Sequence, residues 1–147
     1  FGHTHMDEMR LIGAGAQSIP VKVVPSISPV DGNNPSFTVA EVDTRTAELK
    51  DYRVVVASDK MGASWSEEYD YAATYHEPDF SAASVKDLVA GFRADTKAQK
   101  DTSAAYIQHY FKGDVAKELT PFWEPYACSL DELTATGYAG CVCGGSR

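Results

Sequence analysis

The amino-acid sequence predicts an α+β fold in which strands come first and helices follow. Three observations indicate it: residues 1–58 contain alternating, β-branched segments, residues 59–64 change in composition, and later apolar residues have helical spacing. The 147 residues suffice for about one domain. An apolar content of 44% and a charged content of 23% are typical of globular proteins and exclude a disordered or collagen-like chain.

Alternating side chains predict the strands of the first part of the chain. In Leu49–Val56 the alternation places Tyr52, Val54 and Val56 on one face. Turn-forming residues at 31–35 and 43–46 separate the strands, which we expect to form an antiparallel edge of a larger sheet. The predicted strands are Met9–Ile12, Ile19–Val24, Phe37–Val42 and Leu49–Val56.

Helical spacing predicts the elements that follow residue 64. Val85, Leu88, Val89 and Phe92 have i, i+3, i+4, i+7 spacing, behind a cap at Ser81 or Ser84. The other predicted helices are Trp65–Tyr75, Thr102–Lys112 and Ser129–Thr136.

One helix stop signal and one loop complete this prediction. Gly113 would follow the helix Thr102–Lys112 as its C′ glycine. Pro121 and Pro125 would bound a loop that carries Phe122, Trp123 and Tyr126, for which core packing is favoured over contact with lipid.

Charge and hydropathy exclude two classes of function. The formal net charge is −8, and an acidic chain repels phosphate backbones, so nucleic-acid polymers are not expected partners. No apolar run approaches the ~20 residues that cross a bilayer.

All three cysteines lie near the end of the chain. Cys128, Cys141 and Cys143 are an odd number, so at least one is free or pairs elsewhere. Closing the short loop from Cys128 to Cys141 would contribute about 3 kcal/mol of stability. A disulfide in an exported protein is favoured over free thiols, and over a metal site because the spacing lacks that of a zinc knuckle.

Two histidines at the start of the chain are the sharpest chemical signal. In Gly2-His3-Thr4-His5 one turn could project both imidazoles into one small volume. In two-metal sites the ions lie about 3.5–4 Å apart, so each could take one imidazole. Neutral imidazole suits zinc and similar ions. The alternatives to a metal role are a tag remnant and an exposed loop. Of the other histidines, we interpret His76 as an exposed loop residue and His109 as a satisfied core or boundary residue.

The motif and the segments after it resemble a known family. Gly2-His3-Thr4-His5, followed by Asp7-Glu8, resembles the last metal-binding motif of the calcineurin-like metallophosphoesterases, and most of all that of the acid sphingomyelinase-like phosphodiesterases. Further similar segments are Pro25-Ser26, Gly32–Phe37, Trp65–Tyr69 with Tyr75, Ser84–Arg93 and Tyr106–Gly113.

The resemblance implies a domain organisation and a metal site. Residues 1–58 would be the last strands of an incomplete metallophosphoesterase domain, and residues 59–147 its helical C-terminal domain. His3 and His5 would bind two divalent ions, usually zinc, with His3 on the second ion and His5 on the first. Asp7 and Glu8 would orient the imidazoles, or Asp7 would cap a turn.

The same resemblance implies the reaction and its setting. The ions would activate a water that attacks a phosphodiester lipid, such as sphingomyelin, or a nucleotide. We expect a secreted parent protein, extracellular or periplasmic, with peripheral membrane contact. The chain shows no leader, either because it was removed or because the chain is a piece of a longer protein.

The resemblance is also incomplete. The family's site needs an Asp-x-His motif and an Asn-His pair ahead of the histidine motif, and the sequence contains neither. We therefore expect the C-terminal part of a phosphodiesterase that is inactive by itself. Two alternatives stay open: a non-catalytic helical module for binding or structure, and another metallophosphoesterase such as a nucleotidase.

Overall fold

A computed structural model describes residues 4–113 and 119–144, and it confirms the α+β fold. The described residues form a two-stranded antiparallel sheet and a three-stranded antiparallel sheet of order β3-β4-β5. The strands are β1 (Glu8–Ile12), β2 (Ile19–Val23), β3 (Ser36–Val42), β4 (Leu49–Ala57) and β5 (Trp65–Asp70). The helices are α1 (Tyr71–Tyr75), α2 (Ala82–Ala94), α3 (Asp101–Tyr110), α4 (Trp123–Ser129) and α5 (Ala135–Gly144).

The first four strands lie where alternation predicted them. In β4, Tyr52 and Val54 are buried as predicted, whereas Val56 is only half-buried. The Asp43 carboxylate accepts hydrogen bonds from the backbone N–H groups of Arg45 and Thr46, at 2.8 and 3.2 Å, and closes the hairpin between β3 and β4.

The helix predicted at Trp65–Tyr75 is wrong over its first half. Trp65–Asp70 is β5, which pairs with the open edge of β4, and only the five residues of α1 are helical. The four-residue spacing of Trp65 and Tyr69 imitates a helix, but the backbone hydrogen bonds that β4 offers decide the outcome. Asp70 then caps α1 by accepting from the N–H of Ala73 at 3.0 Å.

The strongest helical pattern is confirmed in α2. Val85, Leu88, Val89 and Phe92 are all buried. Of the two candidate caps, Ser81 is the N-cap, and its hydroxyl accepts from the N–H of Ser84 at 3.2 Å.

Helix α3 ends earlier than predicted, and Gly113 is not its C′ glycine. The last helical residue is Tyr110, and Gly113 forms an isolated antiparallel bridge with Asn33. A Cβ at residue 113 would lie 2.2 Å from the Gly32 carbonyl oxygen. Glycine is needed at this position for close backbone approach, not for ending the helix.

The end of the described chain also differs from the prediction. The segment predicted as a loop is a 3₁₀ turn, Thr120–Phe122, followed by α4. Both prolines lie in first turns, where a missing N–H costs nothing. The helix predicted at Ser129–Thr136 is wrong, because helical structure resumes only with α5.

The core is an aromatic cluster between the sheets and the helices. Trp123 is buried and donates its indole N–H to the Asp95 carbonyl at 2.9 Å, so core packing is confirmed for it, while Phe122 is exposed. Within the described ranges no helix has the length and apolar character to cross a membrane. The buried rings are Tyr52, Tyr69, Tyr71, Tyr75, Phe80, Phe92, Tyr106 and Trp123.

Candidate functional site

His5 is the one member of the predicted imidazole pair that the described residues include, since His3 lies outside them. Its backbone has a φ of 61°, the left-handed conformation that non-glycine residues seldom adopt. Its Nδ1 atom lies 2.7 Å from a carboxylate oxygen of Asp31, an ion-pair distance without the alignment of a hydrogen bond. The Nδ1 atom is shielded from solvent, so the 26% exposure of the side chain belongs to its other atoms.

Asp31 is a partner of His5 that the sequence did not reveal. It ends the short 3₁₀ turn Pro29–Asp31, and Gly32 follows with a φ of 85°. The turn was predicted from its composition, but its contact with a residue 26 positions earlier was not.

Asp7 and Glu8 contact cations and hydroxyl groups in the described residues. One oxygen of Asp7 pairs with the Lys22 ammonium, and both side chains are buried. Glu8 accepts from the hydroxyls of Thr4 at 2.6 Å and Tyr126 at 3.0 Å, and it pairs with Arg10. Their predicted role at the imidazoles stays a prediction.

The Lys22 side chain is buried among its partners. Its ammonium donates to the Tyr69 hydroxyl at 3.2 Å and lies 4.5 Å from the centre of the Tyr52 ring. Burial lowers the pKa of Lys22 well below its ordinary value, against the charge of Glu68, which raises it.

A second carboxylate–imidazole pair joins Glu68 of β5 to His109 of α3. The His109 Nδ1 atom lies 2.8 Å from a Glu68 oxygen, the two side chains are 11% and 6% exposed, and the Lys112 ammonium is 3.8 Å from the same oxygen. His109 stacks on the Tyr69 ring with centroids 4.3 Å apart. The interpretation of His109 as a satisfied core or boundary residue is confirmed, with the boundary position observed, and the exposure of His76 is confirmed as well.

A β-bulge explains how Glu68 becomes buried beside Tyr69. Val54 pairs with Tyr69 and Val55 pairs with Glu67, so Glu68 is the extra residue. In a regular strand neighbouring side chains point to opposite faces. The bulge turns both Glu68 and Tyr69 inward, which sequence alternation could not show.

These groups surround a small cavity of about 10 Å³, lined by residues that include His5, Asp7, Asn33, Glu68 and His109. The second carboxylate oxygen of Asp7 and the amide oxygen of Asn33 are buried without a hydrogen-bond partner. The volume is that of roughly one water molecule. The cavity is too small for a substrate.

The described residues do not complete a metal cage. No group of three or more His, Cys, Asp or Glu side chains with metal-binding geometry occurs in residues 4–113 and 119–144. Cys128 and Cys141 form a disulfide that joins α4 to α5, which confirms the disulfide prediction, and Cys143 is a free, exposed thiol.

Comparison with curated proteins finds a similarity that covers about half of the chain. The chain is 33% identical over 86 residues to a protein of Dictyostelium discoideum named sphingomyelinase phosphodiesterase D. The match covers 51% of this chain but 20% of that protein, so the chain spans about a fifth of the length of the curated relative it matches. No family model matches the chain.

Proposed function

We propose that this chain is the C-terminal part of a metal-dependent phosphodiesterase, in which His3 and His5 bind two divalent ions, expected to be zinc. The contact between His5 and Asp31 carries the proposal. A metal-binding histidine usually has its other ring nitrogen on a carboxylate or carbonyl, which fixes the tautomer and the ring orientation. The match to a sphingomyelinase phosphodiesterase supports the same class of activity.

The donor set of the described residues fits part of a metal site. With its Nδ1 atom against Asp31, the His5 imidazole can offer the lone pair of its Nε2 atom to a cation. The remaining ligands would come from polypeptide that precedes the histidine motif. We therefore propose that the 147-residue chain alone does not hydrolyse phosphodiesters.

The chain's own residues hold the imidazole in place. Divalent ions, when bound, would supply an activated water and neutralise charge on phosphoryl oxygens. Asp31 restrains the His5 ring. Two residues after His5, the backbone N–H of Asp7 donates to the Tyr110 carbonyl at 3.0 Å. The substrate would be a phosphodiester lipid or a nucleotide.

A pair of matched histidine variants tests the proposal in the full-length protein. His5 and His76 both have left-handed backbone conformations, with φ of 61° and 60°, and asparagine tolerates that conformation. We expect His5→Asn to lose one equivalent of zinc and about 100-fold or more in hydrolysis of bis-p-nitrophenyl phosphate, since metal activation of water is lost. His76→Asn should change neither. Equal zinc content and activity in both variants would contradict the proposal.

Removing the carboxylate at residue 31 tests the orienting contact. We expect Asp31→Asn to weaken zinc binding by about 10- to 100-fold, the usual effect of losing such a partner. Zinc titration with a competing chelator measures it.

The isolated chain, supplied with zinc, should show no turnover of sphingomyelin or ATP, and turnover by that chain would refute its dependence on further polypeptide.

The disulfide supports a secreted location for the parent protein. Disulfides persist in oxidising compartments and are rare in the cytosol. The bond between Cys128 and Cys141 therefore favours an extracellular or periplasmic protein.

A further inference from the structure

The carboxylate of Glu8 joins the start of the chain to helix α4. The Glu8 side chain is 2% exposed, and both of its oxygens are occupied. One oxygen accepts from the Thr4 hydroxyl at 2.6 Å. The other accepts from the Tyr126 hydroxyl at 3.0 Å and pairs with Arg10. A single buried carboxylate therefore holds Thr4, next to His5, and Tyr126, in the helical part of the chain.

The Tyr126 hydroxyl is the last donor in a directed chain of hydrogen bonds. The backbone N–H of Met9 donates to the Tyr106 hydroxyl at 3.4 Å, and the two tyrosine hydroxyls are 2.9 Å apart. Because Tyr126 uses its proton on Glu8, Tyr106 is the donor to Tyr126. Burial raises the pKa values of both tyrosines, so both hydroxyls keep the protons that they donate.

The end of α4 contacts the same strand. Arg10 donates to the Ser129 carbonyl at 2.7 Å and to the Ser129 hydroxyl at 2.9 Å. The backbone N–H of Leu11 donates to the Leu130 carbonyl at 2.8 Å. The disulfide from Cys128 joins α4 to α5. The Tyr126 hydroxyl thus belongs to a helix that is itself fixed against β1.

The position of Thr4 gives these contacts a consequence for the histidine motif. Thr4 stands between His3 and His5 in the sequence, so a restraint on its side chain restrains the backbone that carries both imidazoles. Glu8 reaches this backbone through a threonine hydroxyl, which differs from the expectation that it orients an imidazole directly.

We propose that Tyr126 is a positioning residue for the metal site, because through Glu8 it holds Thr4 and the backbone of the histidine motif. The assignment rests on the proposed function. It gives the helical part of the chain a share in metal affinity, although that part supplies no metal ligand of its own in the proposal.

The zinc affinity of the full-length protein tests the assignment, measured by titration with a competing chelator. Thr4→Val keeps the β-branched shape and removes the hydroxyl, and we expect it to weaken zinc binding about 10-fold. Thr4→Ser keeps the hydroxyl and should restore most of the affinity. Tyr126→Phe should weaken binding about 3- to 10-fold, since one hydrogen bond to a carboxylate is lost. The control Tyr138→Phe alters a ring that is 38% exposed in α5 and should change nothing.

Amide hydrogen exchange gives a second measurement, made on the metal-free full-length protein. Tyr126→Phe should speed exchange in a peptide that covers residues 4–8 by about 3- to 10-fold, since this segment loses a restraint. Exchange in β4 should stay unchanged, because it reports the stability of the core rather than of the histidine segment.

Three results would overturn the assignment. They are equal zinc affinity in Tyr126→Phe and Tyr138→Phe, failure of Thr4→Ser to regain what Thr4→Val loses, and an equal rise in exchange in β4 and in residues 4–8. Loss of zinc by His5→Asn together with unaltered affinity in Tyr126→Phe would reject the positioning role alone. Full zinc retention by His5→Asn would instead reject the proposed function.

Discussion

Two buried regions share Tyr69 as a boundary, and they are built differently. On one side lies the aromatic cluster, whose rings pack at 5–6.5 Å in mostly tilted or edge-on pairs. On the other lie Asp7, Lys22, Glu68 and His109, which we call the polar cluster. Burying rings stabilises a fold directly, whereas burying charges does so only while every partner stays in place. The comparison indicates that the first region holds the fold and the second holds the His5 segment.

The largest expected effect comes from emptying the aromatic cluster. Phe92 is fully buried, with ring centroids 5.1 Å from both Tyr106 and Trp123. We expect Phe92→Ala to lower the free energy of unfolding by about 3–5 kcal/mol, because the cavity cannot collapse fully. Urea denaturation measures it. Phe122→Ala, at a ring that is 65% exposed, should cost less than about 0.5 kcal/mol, and a comparable cost for the two variants would undo the assignment of the core.

In the polar cluster we expect a single substitution to lower the free energy of unfolding more than a matched double substitution does. Lys22→Met leaves the Asp7 carboxylate buried without its cation, at a cost of up to about 3–5 kcal/mol. Asp7→Leu/Lys22→Met removes both charges and should recover most of that loss, since neither group is then left unpaired. Urea unfolding of the two singles and the double gives the coupling energy. Additive effects would mean that the pair does not act as a unit.

Local pattern predicted much of the first region and little of the second. The α2 stripe and the alternation in β4 depend on residues a few positions apart, so the sequence alone shows them. The pairs of His109 with Glu68 and His5 with Asp31 span 41 and 26 positions. These pairs depend on a bulge and a turn that bring distant parts of the backbone together. The prediction of a helix at Trp65–Asp70 is wrong because the hydrogen-bonding partner of this segment is β4, which local spacing does not reveal.

The smallest effect concerns a hydroxyl in the aromatic cluster and appears at high pH. Burial, aided by the charge of Glu77, raises the pKa of Tyr71, and its hydroxyl has no partner in the described residues. Above about pH 10 the unfolded chain loses this proton and the folded chain keeps it, so stability falls with rising pH.

Tyr71→Phe tests this dependence. We expect the variant to lie within about 1 kcal/mol of the unaltered chain at pH 7, since no hydrogen bond is lost. Between pH 10 and 11 the unaltered chain should lose up to about 1.4 kcal/mol more of its free energy of unfolding than the variant does. Urea unfolding at pH 7, 10 and 11 measures both, and parallel losses would show that Tyr71 ionises equally in the two states.

Backbone groups at and just after the end of α3 contact two earlier segments of the chain. Tyr110 accepts from Asp7, Lys112 accepts from Asn34, and Gly113 bridges to Asn33. These three contacts reach across more than seventy positions and fix both the strand that follows His5 and the loop that presents Asp31. A synthetic peptide of residues 1–35 would contain both His5 and Asp31 but would lack the backbone contacts with residues 110–113. The geometry of this imidazole is therefore a property of the whole fold and could not be transplanted as a short motif.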